Sequence, residues 1–353
     1  MAATPTFPLL ALPDDEILQT IRVMDLEQII KFSLISERCK DLVKSIRIKG
    51  TSLTVSVKNQ ITISIATARC SLDLTFYLEP DMYWGMGAHG RKKKLTPPQS
   101  VVIDKDAAER QARQPSEWKK RDFTMNAWLK HLKDIFHYHK IHSLRFGENS
   151  FEFDIDDIKE VFGNKTEICI QNTGCLAFNQ MILQHFFPIE ELTIMAENFQ
   201  DSDIPPSLLM QNHATLYIRE SDLDVPITLN DLLLINSKVI IVDSLHIPPN
   251  ELNKFIKLWQ KGSNLRMEYL FTDHFNGEED DEEIVMKGIE YEENPLDRVR
   301  NFKAGGFEDD PIQVYGGMDI YRKDGMKATV AHRMYHESSF WEMFVWMDHC
   351  VVE

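Results

Sequence analysis

Apolar positions change their period several times along the chain, and each change marks a different element. Within Phe7–Ile46 they fall at helical spacing. Leu12-Pro13-Asp14-Asp15-Glu16 reads as a helix start, because the dipole of a first turn favours acidic side chains, and Ile17, Leu18 and Ile21 form one face of that helix. Asp25 predicts the cap of a second helix carrying Leu26, Ile29, Ile30 and Leu34. Ser36 predicts the cap of a third, with Cys39, Leu42, Val43 and Ile46 at i, i+3, i+4, i+7. Three short amphipathic helices in about 40 residues bury little surface alone, so this segment is expected to lean on a partner or on the domain that follows.

The period then shortens to two. Ser52–Val57, Ile61–Ala66 and Leu72–Leu78 predict three strands of an antiparallel meander. Residues 79–100 read as a loop punctuated by Pro80, Pro97 and Pro98. Helical spacing returns over Ser116–His139, with Trp118, Phe123, Trp128, Leu129, Leu132, Ile135 and Phe136 on the apolar face. His131, His137, His139 and His142 cluster near its end without an acidic or cysteine partner at metal-ligand spacing, and read as polar surface residues.

From Leu144 a longer period appears. Apolar residues recur every 24 positions at Leu144, Ile168, Leu192, Leu216 and Ile240, again at Phe146, Ile170, Ile194, Ile218 and Val242, and again at Phe151, Cys175, Phe199, Leu223 and Ile247. Helix-like pieces lie between these strands at Asp156–Phe162, Asn179–Phe187, Ser207–Gln211, Asn230–Ile235 and Asn250–Gln260, and a sixth strand is expected at Leu265–Phe271. A strand and a helix per 24 residues lies within the range of leucine-rich repeats, whose units bury a core only by stacking. The alternative is an ordinary α/β sheet of similar spacing. Asn149 occupies the usual asparagine place, but Thr173, Glu197, Ser221 and Leu245 follow it, so no asparagine ladder is expected. Asn276–Glu283 is an acidic run read as an exposed loop. Met318–Tyr321 and Lys327–Ala331 flank an Asp324-Gly325 turn, and Phe340–Trp346 reads as an aromatic tail covering the last repeat. The expected class is α/β (α+β overall): a helical module at 1–50, a β-rich connecting region with loop and helix at 51–140, a repeat-like β/α arc at 141–275, and a C-terminal cap at 276–353.

Charge and cysteines narrow the function. A net charge of −16 predicts no general attraction to nucleic acid or anionic membrane. No apolar run approaches the roughly 18 residues of a membrane span. Cys39, Cys70, Cys169, Cys175 and Cys350 form no CxxC pair, as expected in a reducing cytoplasm or nucleus. Gly85-Met86-Gly87-Ala88-His89-Gly90 matches G-x-G-x-x-G by letter, but Arg91-Lys92-Lys93-Lys94-Leu95-Thr96-Pro97-Pro98 cannot open the helix a dinucleotide site needs, and the basic cluster reads as a solvated loop. No nucleophile elbow or metal triad is visible, so no catalysis, metal or cofactor is expected.

Leu12-Pro13, Glu16, Ile17-Leu18 and Ser33-Leu34-Ile35-Ser36-Glu37-Arg38-Cys39 resemble the F-box, with Cys39 standing where many members carry tryptophan. The resemblance implies docking to a Skp-type adaptor, and through it a cullin, by Leu9, Leu12, Pro13, Ile17, Leu18 and Ile21, with Leu34, Ile35 and Cys39 behind. The region beyond is similar to the F-box-associated domain, type 2, of the F-box proteins expanded in nematodes. The similarity is carried by Trp128–Leu132, Ile135-Phe136, Glu191–Ile194, Ile240–Asp243, Gly317–Ile320 and Asp324-Gly325. It implies recruitment of a protein target to an SCF-type ubiquitin ligase. Alternation along the strands assigns Arg145, Cys169, Gln171, Thr193, Met195, Tyr217, Arg219, Ile241 and Asp243 to a target-facing surface, with Arg266 and Glu268 on the last strand. The competing reading is a repeat scaffold outside any ligase, with the N-terminal helices as its cap.

Overall fold

Three capping devices open the three N-terminal helices. Pro13 precedes α1 (Asp14–Arg22), whose first turn holds Asp14, Asp15 and Glu16. Asp25 and Gln28 cap each other reciprocally at the start of α2 (Leu26–Ser33). The Ser36 hydroxyl accepts from the Cys39 amide at the start of α3 (Glu37–Ser45). The computed structural model describes residues 9–68, 70–78, 92–105, 116–118, 123–219, 227–243, 247–275, 281–305, 311–335 and 338–352. The chain divides into two units, Met1–Thr166 and Glu167–Glu353.

In the first unit the strands β1 (Gly50–Val57), β2 (Ile61–Thr67), β3 (Ser71–Tyr77), β4 (Ser100–Lys105) and β5 (Ser116–Trp118) pair antiparallel in that order. α4 (Met125–Phe136) follows, and β6 (Ile141–Phe146) then lies parallel on the free side of β1. α5 (Ile155–Phe162) completes the unit. Alternation buries Val55, Val57, Ile61, Ile63, Ile65, Leu74 and Phe76. Trp128 of α4 packs here, its ring 5.7 Å from Phe76, 6.5 Å from Trp118 and 5.3 Å from Phe123.

The helix expected over Ser116–His139 is shorter. Ser116–Trp118 pairs with β4 as a strand, and α4 starts only after Thr124, whose hydroxyl accepts from the Ala127 amide. His131 is not a surface residue: it is 5 % exposed, with Nε2 2.8 Å from the Ser33 hydroxyl. His142 is half-buried and accepts from the Leu53 amide through Nδ1. The basic cluster is paired rather than free. Lys92 donates to the Phe151 carbonyl, Lys93 meets Glu152, and Lys94 lies between Asp154 and Asp157 at 2.9 and 3.0 Å. Arg91 and the Gly85–Gly90 motif lie outside the described residues.

The second unit is built on β7 (Lys165–Ile170), β8 (Glu191–Met195), β9 (Thr215–Arg219), β10 (Val239–Asp243) and β11 (Tyr269–Phe275), with α6 (Leu176–Phe186), α7 (Pro206–Leu209), α8 (Leu229–Leu234) and α9 (Pro249–Gln260) between them. All adjacent pairs are parallel, and Ile168, Leu192, Leu216 and Ile240 stand side by side, 24 residues apart in each step. The next partner, Leu270, comes 30 residues later. The last strand therefore begins at Tyr269, not Leu265. A turn with Gly262 and Asn264 at positive φ takes up the extra residues. Arg266 and Glu268 precede the strand, and Glu268 is buried. Leu223 lies outside the described residues.

Beyond β11 come α10 (Asp281–Met286), β12 (Glu292–Glu293), β13 (Val299–Phe302), β14 (Ile312–Tyr315), β15 (Met318–Tyr321), β16 (Lys327–Tyr335), β17 (Ser338–Val345) and β18 (Val351–Val352). The aromatic tail enters the sheet as β17, antiparallel to β11, and β16, β15 and β12 extend that edge. The hairpin between β15 and β16 turns at Gly325, φ +85°. β13 pairs with β14 and β18 in a separate three-stranded sheet. The acidic run is only partly loop: 276–280 lie outside the described residues, but Asp281-Glu282-Glu283 form the first turn of α10, with Asp281 buried.

Buried amides do link successive strand–helix units, and one of them, Asn198, lies one residue from an expected place. Thr173 donates to Asn179 at 2.6 Å, and the Asn179 amide to the Asn198 carbonyl at 2.8 Å. Asn198 then donates to the Gln171 carbonyl and accepts from the Met195 amide. At the helix-to-strand turns Asn236 donates to Asn212, 24 residues earlier, and Asn264 to the carbonyls of Leu232 and Ile235. Asn198→Ala leaves the Gln171 carbonyl and the Met195 amide unmatched, and is expected to cost about 1–3 kcal/mol in urea unfolding.

Candidate functional site

On the helical module the resemblance-implied residues separate by depth. Ile17, Ile21 and Cys39 have no exposed surface and hold the three helices together. Leu12, Leu18 and Leu34 are half-buried, Pro13 is exposed, and Ile35 is 62 % exposed. Leu9 begins a 3-10 turn ending at Ala11, and its side chain lies outside the described ones. Arg38 organises this side. Its guanidinium meets Asp14 at 2.7 Å and the Leu10 carbonyl at 3.2 Å, which holds the start of α3 against the turn before α1. The exposed apolar side chains open to a partner are thus Leu10, Pro13 and Ile35, with Leu12 and Leu34 half-buried and Ile17, Ile21 and Cys39 in the core of the module.

The underside of the module is seated within the first unit. Ser33 meets His131, Lys40 meets Asp134 at 2.8 Å, and Lys31 lies 5.2 Å from the Trp118 ring centroid. Burial pushes the Asp134 carboxyl up, but the Lys40 ammonium outweighs it and holds it below the usual carboxylate range.

The second candidate surface is a face of the parallel sheet. Cys169, Thr193, Tyr217 and Ile241 stand in one row across β7–β10, and Met195 pairs with Arg219 in the next. Cys169 and Thr193 are buried, 3 % and 7 % exposed, and Thr193 donates to Glu167. Gln171 lies just past β7. Tyr217 is half-buried, its hydroxyl 3.2 Å from the Asp243 carboxylate and its ring centroid 5.7 Å from the exposed Arg219 guanidinium. Burial, reinforced by the Asp243 charge, raises the Tyr217 phenol, so it acts as a neutral donor. Arg145 is exposed on β6 in the first unit, with Nε on the Ser143 hydroxyl.

Part of this face is covered. Val239, Tyr269, Phe344 and Ala331 pack against Phe302, Ala304, Val314 and Cys350 of the three-stranded sheet and its flanks, with Ile241 and Phe271 at the rim. The apolar character of Ile241 thus has an internal explanation. Among the described residues, Met195, Tyr217, Arg219 and Asp243 are not part of that buried cluster, and Arg219 is exposed. Nothing local to the strands signals it, because the covering residues come from 302–350.

Glu268 pins the cover. It accepts from the Gly305 amide at 2.5 Å, and from Lys238 and His349 at 3.0 Å each. Burial raises its carboxyl, but these donors together hold it below the usual range. Burial and the Glu268 charge push the Cys350 thiol up to about 12. Among the described residues, Glu268, His349 and Cys350 form a cluster with ligand atoms within 4.8 Å. The Lys238 ammonium already neutralises its carboxylate, and the thiol is held protonated, so the cluster serves as a salt-bridge hub. No helix among the described residues is long and apolar enough to cross a membrane.

Residues 204–271 match the model of a family described as F-box associated. That segment runs from the approach to α7 through β9, α8, β10 and α9 into β11, and so contains Tyr217, Arg219, Ile241 and Asp243. The match does not reach residues 7–48, where the F-box resemblance rests on its own residues. No curated protein and no solved structure matches the chain.

Proposed function

We propose that the chain is a non-catalytic substrate-recognition subunit of an SCF-type cullin–RING ubiquitin ligase, acting in the cytoplasm or nucleus. The helical module docks a Skp-type adaptor through Leu10, Leu12, Pro13, Leu34 and Ile35. The uncovered part of the sheet face around Tyr217 and Arg219 holds a protein target. Its contribution is proximity: holding a target near a conjugating enzyme raises the effective concentration of target lysines. The observation that carries the reading is the pairing, in one chain, of an F-box-associated match over 204–271 with a helical module that exposes Pro13 and Ile35.

Tyr217 and Arg219 are of the residue types that dominate interfaces. Tyr217→Ala with Arg219→Ala is expected to abolish target capture and target turnover while adaptor co-purification stays unchanged. Normal turnover in that variant would remove the sheet face from the account. A scaffold working outside any ligase would instead keep its activity when the Pro13 and Ile35 surface is altered. Surface substitutions separate the two readings better than deleting residues 1–48. The deletion would also strip the partners of His131 and Asp134 and damage the rest of the first unit.

A further inference from the structure

A recess of about 450 Å³ opens at the C-terminal end of α9, lined by Lys257, Lys261, Arg322 and Lys323 with Tyr321 and Gly288. None of the described residues that line it carries a carboxylate. Four cations around one recess stand out in a chain of net charge −16, because like charges repel when brought together.

Internal contacts account for only part of this charge. Lys257 donates to the Lys287 carbonyl at 2.6 Å. Arg322 is nearly buried, its side chain 5 % exposed and lying 5.2 Å from the Trp259 ring centroid. Its Nε and Nη2 reach the Asp324 carboxylate at 3.0 and 2.9 Å. Its Nη1 is buried with no hydrogen-bond partner among the described residues, a costly state for a charged donor. Lys261 and Lys323 are exposed and make no ion pair among the described residues.

The recess is held in shape from both sides. The Lys323 amide donates to the Gln260 carbonyl at 3.0 Å, and the Gln260 side chain to the Tyr321 carbonyl. These bonds fix the turn between β15 and β16 to the end of α9. Gly288, at φ +67°, leaves its part of the wall without a side chain. The helix C-terminus is the negative end of a dipole and opposes an anion. Here the last carbonyls, of Leu258, Trp259 and Gln260, already accept backbone N–H groups. The dipole is a weaker effect than several charge-assisted bonds.

We propose that this recess binds a phosphate-class dianion carried on a phosphorylated side chain of the protein target. A guanidinium and three ammonium groups suit a tetrahedral dianion with three acceptor oxygens better than a carboxylate of single charge. The net negative charge of the chain argues against an anionic membrane as the carrier. That the carrier is the ligase target rests on the proposed function; phosphate binding does not.

The test uses the full chain, titrated with a short phosphoserine peptide, the same peptide with serine, inorganic phosphate, and vesicles of phosphatidylcholine and phosphatidylserine. The phosphopeptide is expected to bind, the serine peptide not, and inorganic phosphate to compete. Lys261→Ala with Lys323→Ala, both exposed, should weaken binding at least tenfold with an unchanged unfolding curve, and Arg322→Gln should weaken it further. Equal behaviour of the two peptides, no binding of either, or indifference to the lysine pair overturns the proposal. So does binding of vesicles or of inorganic phosphate without the phosphopeptide. A chain that binds the phosphopeptide but fails to retain the adaptor keeps the recess and removes the ligase reading.

Discussion

Asp319→Ala is expected to cost about 3–5 kcal/mol, because it removes the buried carboxylate that pairs two partly buried cations. The Asp319 side chain is 2 % exposed and meets Arg300 at 3.0 Å, Lys327, and the Thr329 hydroxyl at 2.6 Å. Arg300 comes from β13, Lys327 and Thr329 from β16, and Asp319 itself from β15. One carboxylate therefore ties the edge of the main sheet to the sheet that covers it. Denaturant unfolding of the second unit measures the loss. The pH dependence gives a second readout. Burial raises the Asp319 carboxyl, but Lys327, Thr329 and Arg300 outweigh it and hold it low. A carboxyl lowered in the folded state adds stability above its unfolded value of about 4, and that stability is lost as pH falls toward the folded value. The gap between wild type and Asp319→Asn should therefore narrow below about pH 4. A gap that stays constant from neutral to acid pH would contradict this account.

Trp128→Ala is the second large effect, with an expected cost of about 3–5 kcal/mol for removing a buried aromatic. Trp128 has no exposed surface and is ringed by Phe76, Trp118 and Phe123. α4 also carries His131 and Asp134, the residues that receive α2 and α3. The substitution should therefore loosen the N-terminal helices as well as the sheet. Hydrogen exchange within residues 14–45 is the measurement. Exchange there should quicken in the variant, and unchanged protection would mean that the helical module is stable without α4.

The parts of the fold that could be read from the chain are those set by near neighbours. Asp25 and Ser36 cap helices through amides three residues away. The 24-residue register was legible because each parallel strand places its residue beside the equivalent one of the next unit, so a buried row must recur at the length of the unit. The last strand starts at Tyr269 rather than Leu265 because a longer turn breaks the count. The burial of His131 has no local signal, because its partner Ser33 lies 98 residues away. Ile241 resembles a target-facing residue in the sequence because the covering sheet is drawn from residues more than 60 positions later. Arg322 gave no signal for the same reason: α9, Gly288 and the hairpin turn come together only in the fold.

The docking claim is tested most directly by titrating a Skp-type adaptor into the full chain, wild type against Pro13→Ala with Ile35→Asp. Both positions are exposed, so the variant should keep the wild-type unfolding transitions. The account predicts that wild type binds and that the variant binds at least tenfold more weakly, a loss of about 1.4 kcal/mol or more. Equal binding by the two chains, or no binding by the wild type, would contradict it.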